Sequence, residues 1–334
     1  TIELKTQMKK TTGLFHDELC LWHSTQGLFS LVLPVGSWVQ PPPSAGLAES
    51  PESKRRAISL MEVSGLSQGI SIQSAPSANE ANLMTVHPTQ YLKRFEKLSV
   101  SGGGEIGVFA PFGPGSYEIA KRSAGLAIEA VDSVLSGRFK NAYSMSRPPG
   151  HHCGRETPMG FCLLANVAIA IEVARKKYGL KKIAVVDWDV HHGNGTQTVA
   201  NNRADIFYAS LHQYPLFPGT GLPQETGMDR NVLNILMRES STGAEYRRAF
   251  DETLLPALEE YLPELLIISA GFDAHERDPL AGIMLTDEDF GWMTRRLREV
   301  AEAHAKGRLV SVLEGGYDLH ALASGVRAHL SELI

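Results

Sequence analysis

Five short runs dominated by apolar residues, at 142–146, 183–186, 206–210, 265–269 and 309–313, are separated by longer stretches in which apolar residues recur at helical spacing. Those stretches lie at about 116–136, 166–178, 244–261 and 287–305. Strands that follow one another through helical crossovers run parallel, and a parallel sheet needs helices on both faces to bury it. The chain is therefore expected to be an α/β protein, and Thr242 followed by Glu245 reads as a capping box opening the third helix. The 334 residues, 43% of them hydrophobic, can bury a sizeable core, and no repeat or composition shift divides them. A single domain over 1–334 is expected, with its ligand site beyond the carboxyl ends of the strands.

Those strand ends carry the chemistry. The run at 183–186 leads into Asp187-Trp188-Asp189-Val190-His191-His192-Gly193-Asn194-Gly195, and the run at 265–269 into Gly271-Phe272-Asp273. Asp189, His191 and Asp273 are two carboxylates and an imidazole, the donor set of a catalytic zinc that keeps one position open for water. One Asp at a strand end is often only a helix cap, and one His often merely packs. Two further strand ends strengthen the reading: Arg147-Pro148-Pro149-Gly150-His151-His152 presents adjacent histidines, and Glu314-Gly315-Gly316-Tyr317 presents a phenol beyond a flexible turn. A metallohydrolase is the leading expectation.

The net charge of −5 and a pI near 6.2 argue against a nucleic-acid-binding surface. Lys54-Arg55-Arg56 and Arg175-Lys176-Lys177 are expected to be solvated helix faces. No run approaches the ~18 apolar residues of a membrane span. Residues 1–5 lack the start of a secretory signal, and Cys20, Cys153 and Cys162 suggest no disulfide framework, so a cytoplasmic location is expected. Pro34, Gly36, Pro41-Pro42-Pro43 and Gly46 make 31–46 an extended arm, expected to help build a homo-oligomer contact. The glycines within 101–115 suggest a mobile loop at the site mouth.

Seven ordered motifs resemble the zinc-dependent histone deacetylase superfamily, and most of all its bacterial class II-type amidohydrolases. They are Arg147 to His152, Gly160-Phe161-Cys162, Asp187 to Thr196, Ser210-Leu211-His212, Phe217-Pro218-Gly219-Thr220-Gly221, Gly271 to Asp273 and Glu314 to Tyr317. The resemblance implies the arginase/deacetylase fold and hydrolysis of an acylated lysine, polyamine or related small amide. It implies Asp189, His191 and Asp273 as zinc ligands, His151 and His152 as proton-transfer groups with partners Asp187 and Asn194, and Tyr317 as oxyanion donor. Phe161 and Phe217, with Gly160 and Gly315, would shape the acyl-amine channel. Backbone oxygens of Asp187, Asp189, His191 and Leu211, with Ser210, would form a potassium site.

Two departures from the family follow. Asn194 is neutral where other members carry Asp, so the two histidines should differ in pKa. At the channel rim, Phe109 stands where many relatives carry a substrate-clamping aspartate, with Glu105 the nearest acid, which makes a small acylated amine as plausible as a protein substrate. A two-manganese arginase relative would need more carboxylates and would lack the His pair and Tyr317, and a non-catalytic binding protein would have no reason to keep them all.

Overall fold

The structure, a computed structural model, describes residues 10–24, 33–35, 38–40 and 49–334. Its centre is a sheet of β1 (Thr12–Phe15), β2 (Ile70–Gln73), β3 (Asn141–Ser144), β4 (Ile183–Asp187), β5 (Ile206–Gln213), β6 (Val232–Met237), β7 (Leu265–Ala270) and β8 (Leu309–Leu313). All pairings are parallel, in the order β2-β1-β3-β8-β7-β4-β5-β6. The five runs read from sequence are the contiguous centre, where burial on both faces produces unbroken apolar stretches. The strands not anticipated, β1, β2 and β6, lie to either side; Ser71, Gln73 and Asn234 interrupt the apolar pattern of the two edges.

Alternate residues along each strand serve opposite faces. Ile183 and Val185 pack with helices Ser116–Leu135 and Asn166–Tyr178; Ala184 and Val186 pack with Pro51–Val63, Asp287–His304 and Leu319–Ser331. The capping box forms, with Thr242 N–H donating to Glu245 and the Ala244 N–H to Thr242 Oγ1. The helix it opens is not continuous: Gly243–Ala249 widens into a π turn at Phe250–Leu254 before resuming as Leu255–Tyr261. Pro256, which has no N–H to give the preceding turn, sits just beyond the widening.

The expectation of a solvated Lys54 is corrected. Lys54 is only 2% exposed, and its ammonium lies 2.8 Å from Glu49, whose other oxygen is 2.9 Å from the buried Arg147 guanidinium. Arg147 also donates to the Cys20 and His23 carbonyls, at 2.8 and 3.1 Å, so this charge group ties two chain segments, 20–23 and 49–54, to the base of the His151 turn. A buried ion group of this kind costs about 3–5 kcal/mol when one member is removed. Segment 101–115 contains a small ladder between Gly104–Glu105 and Pro111–Phe112. Of the 31–46 arm, Leu33–Val35 pairs antiparallel with Trp38–Gln40; the rest of it, and with it the expected subunit contact, lies outside the described residues. Among the described residues no helix is long and apolar enough to cross a membrane.

Candidate active site

The alternation that builds the sheet continues past its ends and sorts the site residues. Beyond β4, Trp188 and Val190 are fully buried in the apolar core, and beyond β7 so are Phe272 and Ala274. Asp187, Asp189, His191 and Asp273 are thereby aimed together. Each large anchor contributes on the order of 1.5–3 kcal/mol by burial, enough to hold the polar residues between them in place.

Asp189, His191 and Asp273 bring one ligand atom each within 4.8 Å of one another, all buried. His191 Nδ1 is 3.1 Å from Asp189 Oδ1 and 3.0 Å from Asp273 Oδ2. The outer carboxylate oxygens accept backbone N–H groups, Asp189 Oδ2 from Gly315 at 2.7 Å and Asp273 Oδ1 from Val190 at 2.8 Å. Both inner edges therefore face the imidazole nitrogen. Burial, then the Asp189 charge, pushes the Asp273 carboxyl up to about 6. Burial lowers His191, but the hydrogen bonds of Asp189 and Asp273 outweigh it and lift the ring to about 10. Two carboxylates and an imidazole buried with their ligand atoms this close make a donor set that fits a divalent metal. Gly315 is required by close approach: a Cβ there would lie 2.3 Å from Asp273 Oδ2 and 2.7 Å from Asp189 Oδ2.

His151 and His152 lie against this cluster, their ring centroids 4.0 Å apart. His151 Nδ1 is 3.1 Å from Asp187 Oδ2, which also accepts the Tyr208 hydroxyl at 3.0 Å. His152 Nδ1 is 2.8 Å from Asn194 Oδ1; because that oxygen can only accept, the ring donates there and its Nε2 is left for chemistry. Burial pulls His151 down, but Asp189 and Asp187 outweigh it and hold the ring well above the usual range. Burial and the neighbouring His151 and His191 hold His152 well below. The two histidines thus shift in opposite directions, and the difference comes from burial and neighbouring charge, since the Asn194 hydrogen bond by itself raises His152.

Two positioning carboxylates escaped the sequence reading. Glu314 Oε2 accepts the Gly150 and His151 N–H groups at 2.8 and 3.0 Å, and Oε1 accepts the Ser269 hydroxyl at 3.2 Å, fixing the histidine turn to β7 and β8. Asp278 accepts the Tyr317 N–H at 2.8 Å and the Leu280 N–H at 3.0 Å. Glu314 stood in plain view in its motif, but nothing in the sequence distinguishes a carboxylate that holds backbone from one that reacts.

A cavity of about 340 Å³ leads to this floor, lined by Phe109, Gly160, Phe161, Leu216, Phe217 and Leu280 above His152, His191 and Tyr317. The Tyr317 ring lies 6.4 Å from His191 and 6.0 Å from Phe161. Gly160 has φ +53° and its Cβ would lie 2.4 Å from the His152 ring. Phe109 lines the mouth and Glu105 does not. Ser210 is the register partner of Asp187, and its hydroxyl is 2.9 Å from His212 Nδ1.

Known proteins resemble this chain in both sequence and fold. The histone deacetylase domain pattern matches residues 47–333. The chain is 52% identical over 314 residues to a histone deacetylase-like amidohydrolase of Pseudomonas aeruginosa, covering 93% of this chain and 82% of that protein. It is 36% identical over 296 residues to the mouse polyamine deacetylase HDAC10, covering 83% of this chain and 43% of that protein. A solved structure of the HDA15 HD domain superposes with a TM-score of 0.86 at 30% identity, covering 97% of this chain and 89% of that one.

Proposed function

Because this chain belongs to the histone deacetylase family, we propose that it is a zinc-dependent amidohydrolase that removes an acyl group, chiefly acetyl, from a linear amine. The observation that carries the reading is the Asp189, His191 and Asp273 cluster at the closed end of an apolar slot, flanked by two histidines of opposite character. Zinc bound there would supply Lewis acidity toward the amide carbonyl and lower the pKa of a water toward ~7. His152, whose Nε2 is left free by the Asn194 contact, takes a proton from the attacking water, and His151, oriented by Asp187, gives one to the departing amine. Burial and the Asp273 and Asp189 charges hold the Tyr317 phenol well above its usual range, so it keeps its proton and donates to the oxyanion. Such a donor is worth roughly 2.7–4 kcal/mol of barrier.

Phe161 and Phe217 favour an unbranched methylene chain, the shape shared by acyl-lysine and an acylated polyamine. The names of the Pseudomonas and mouse relatives support acyl-amide substrates. Main-chain oxygens of Asp187, Asp189, His191 and Leu211, with Ser210, form the proposed potassium site, supported by the pairing of Asp187 with Ser210. The buried free cysteines suit a reducing compartment. Among the described residues the other three-ligand group is His151, Cys162 and Glu314, with Glu314 engaged by backbone; that disfavours a two-manganese arginase centre. The test is turnover of acetyl-lysine peptides, trifluoroacetyl-lysine, acetylpolyamines and simple amides. Chelator-sensitive hydrolysis of at least one is expected, and hydrolysis of none would refute the proposal.

A further inference from the structure

Building on that reading of the site, we infer that Phe109 is a specificity-determining residue, a third aromatic wall that selects acyl amides whose amine-side portion is uncharged and apolar and turns polycations away. Phe109 and Phe161 both occupy the left-handed region, at φ +53° and +66°, where a bulky side chain is an outlier. The two are locked to each other: Phe161 N–H donates to the Phe109 carbonyl at 2.8 Å and Gly160 N–H to that of Val108 at 3.0 Å. The hairpin is seated with no slack, since a Cβ on Gly107 would lie 1.9 Å from the Pro158 carbonyl oxygen. Strain spent on a ring that remains 53% exposed does little for stability. It does aim that ring, edge to face, 5.8 Å from Phe217 across the slot.

The chemistry of the rim decides what suits it. Among the described residues that line the slot there is no carboxylate. Asp278, behind Leu280, is committed to two backbone N–H groups. Leu280 and Val108, 40% and 54% exposed, extend the apolar surface outward. An ammonium carried just beyond the slot would lose water and find no counter-charge, and a half-exposed ring face returns only a small part of that loss. An alkyl or aryl group in the same place buries itself against Phe109, Phe217 and Leu280.

The test compares an N-acetylated phenylalkylamine with N8-acetylspermidine on the zinc-loaded protein, reading both calorimetric affinity and kcat/KM. Phe109→Asp tolerates the left-handed backbone and adds a charge; Phe109→Asn removes the ring without one. Wild type should favour the uncharged amide by about tenfold or more. Phe109→Asp should weaken it about tenfold and strengthen the polycation about tenfold, while Phe109→Asn should do only the former. Equal wild-type affinities, or a ratio unmoved in Phe109→Asp, overturns the inference. Selective binding without turnover would sustain it and remove the proposed chemistry instead.

Discussion

Replacing Gly315 with alanine should empty the metal site while leaving the fold standing. The added methyl would begin 2.3 Å from Asp273 Oδ2 and 2.7 Å from Asp189 Oδ2, where a carbon–oxygen contact needs roughly 3.3 Å. The Asp273 carboxylate must therefore retreat by about 1 Å, several times the ~0.2 Å that a metal–ligand distance tolerates. The Gly315 N–H that orients Asp189 moves with it. Disturbing a group that merely orients a ligand costs 10–100-fold in affinity, so displacing two ligands at once should cost at least about a hundredfold, near 2.7 kcal/mol. The fold should lose about 1–3 kcal/mol from overpacking. Zinc affinity is read by competition with a chelator and stability by thermal unfolding. Gly291→Ala is the control, because its Cβ has nothing nearer than 3.8 Å and its helix should gain about 0.5–1 kcal/mol. Wild-type zinc affinity in Gly315→Ala would refute the placement of these carboxylates as ligands.

Tyr317→Phe keeps the ring and removes the donor, so kcat should fall roughly a hundredfold or more with KM little changed; an unchanged rate would mean the phenol takes no part in the reaction. Glu314→Gln tests the buried carboxylate through pH. Burial lifts Glu314 from 4.5 to about 7, so the native state holds its proton more tightly than the unfolded chain, and stability is lost as pH rises through that window. Gln does not titrate, so the variant's stability relative to wild type should climb between pH 4.5 and 7, by up to about 3 kcal/mol. A flat difference across that range would show that Glu314 is charged throughout.

How much of this was legible in the sequence follows from where physics leaves a mark. Strands β3, β4, β5, β7 and β8 were readable because burial on both faces requires continuous apolar runs, and the chemical residues because they cluster at the ends of those strands. Strands β2 and β6 were not, since Ser71, Gln73 and Asn234 break their apolar pattern, nor was β1, whose Thr12-Gly13 start leaves only Leu14-Phe15 as apolar signal. Lys54 was misjudged because its partners, Glu49 and Arg147, are joined to it only by the tertiary fold. Asp278 left no trace for the same reason: an aspartate that accepts N–H groups from Leu280 and Tyr317 reads in sequence as any loop aspartate. Phe109 was noticed at the rim, but its left-handed backbone and its place against Phe217 are properties of the folded hairpin.

The central claim is that the Asp189, His191 and Asp273 cluster holds a single zinc that makes amide hydrolysis possible. Its most direct test is a titration of chelator-stripped protein with zinc while hydrolysis of a fluorogenic acetyl-lysine amide is followed. The rate should rise linearly and level off at one zinc per chain, and Asp189→Ala, folded by circular dichroism, should stay at background with no zinc retained. Full activity without metal, saturation at two metals per chain, or an active Asp189→Ala protein would contradict the account.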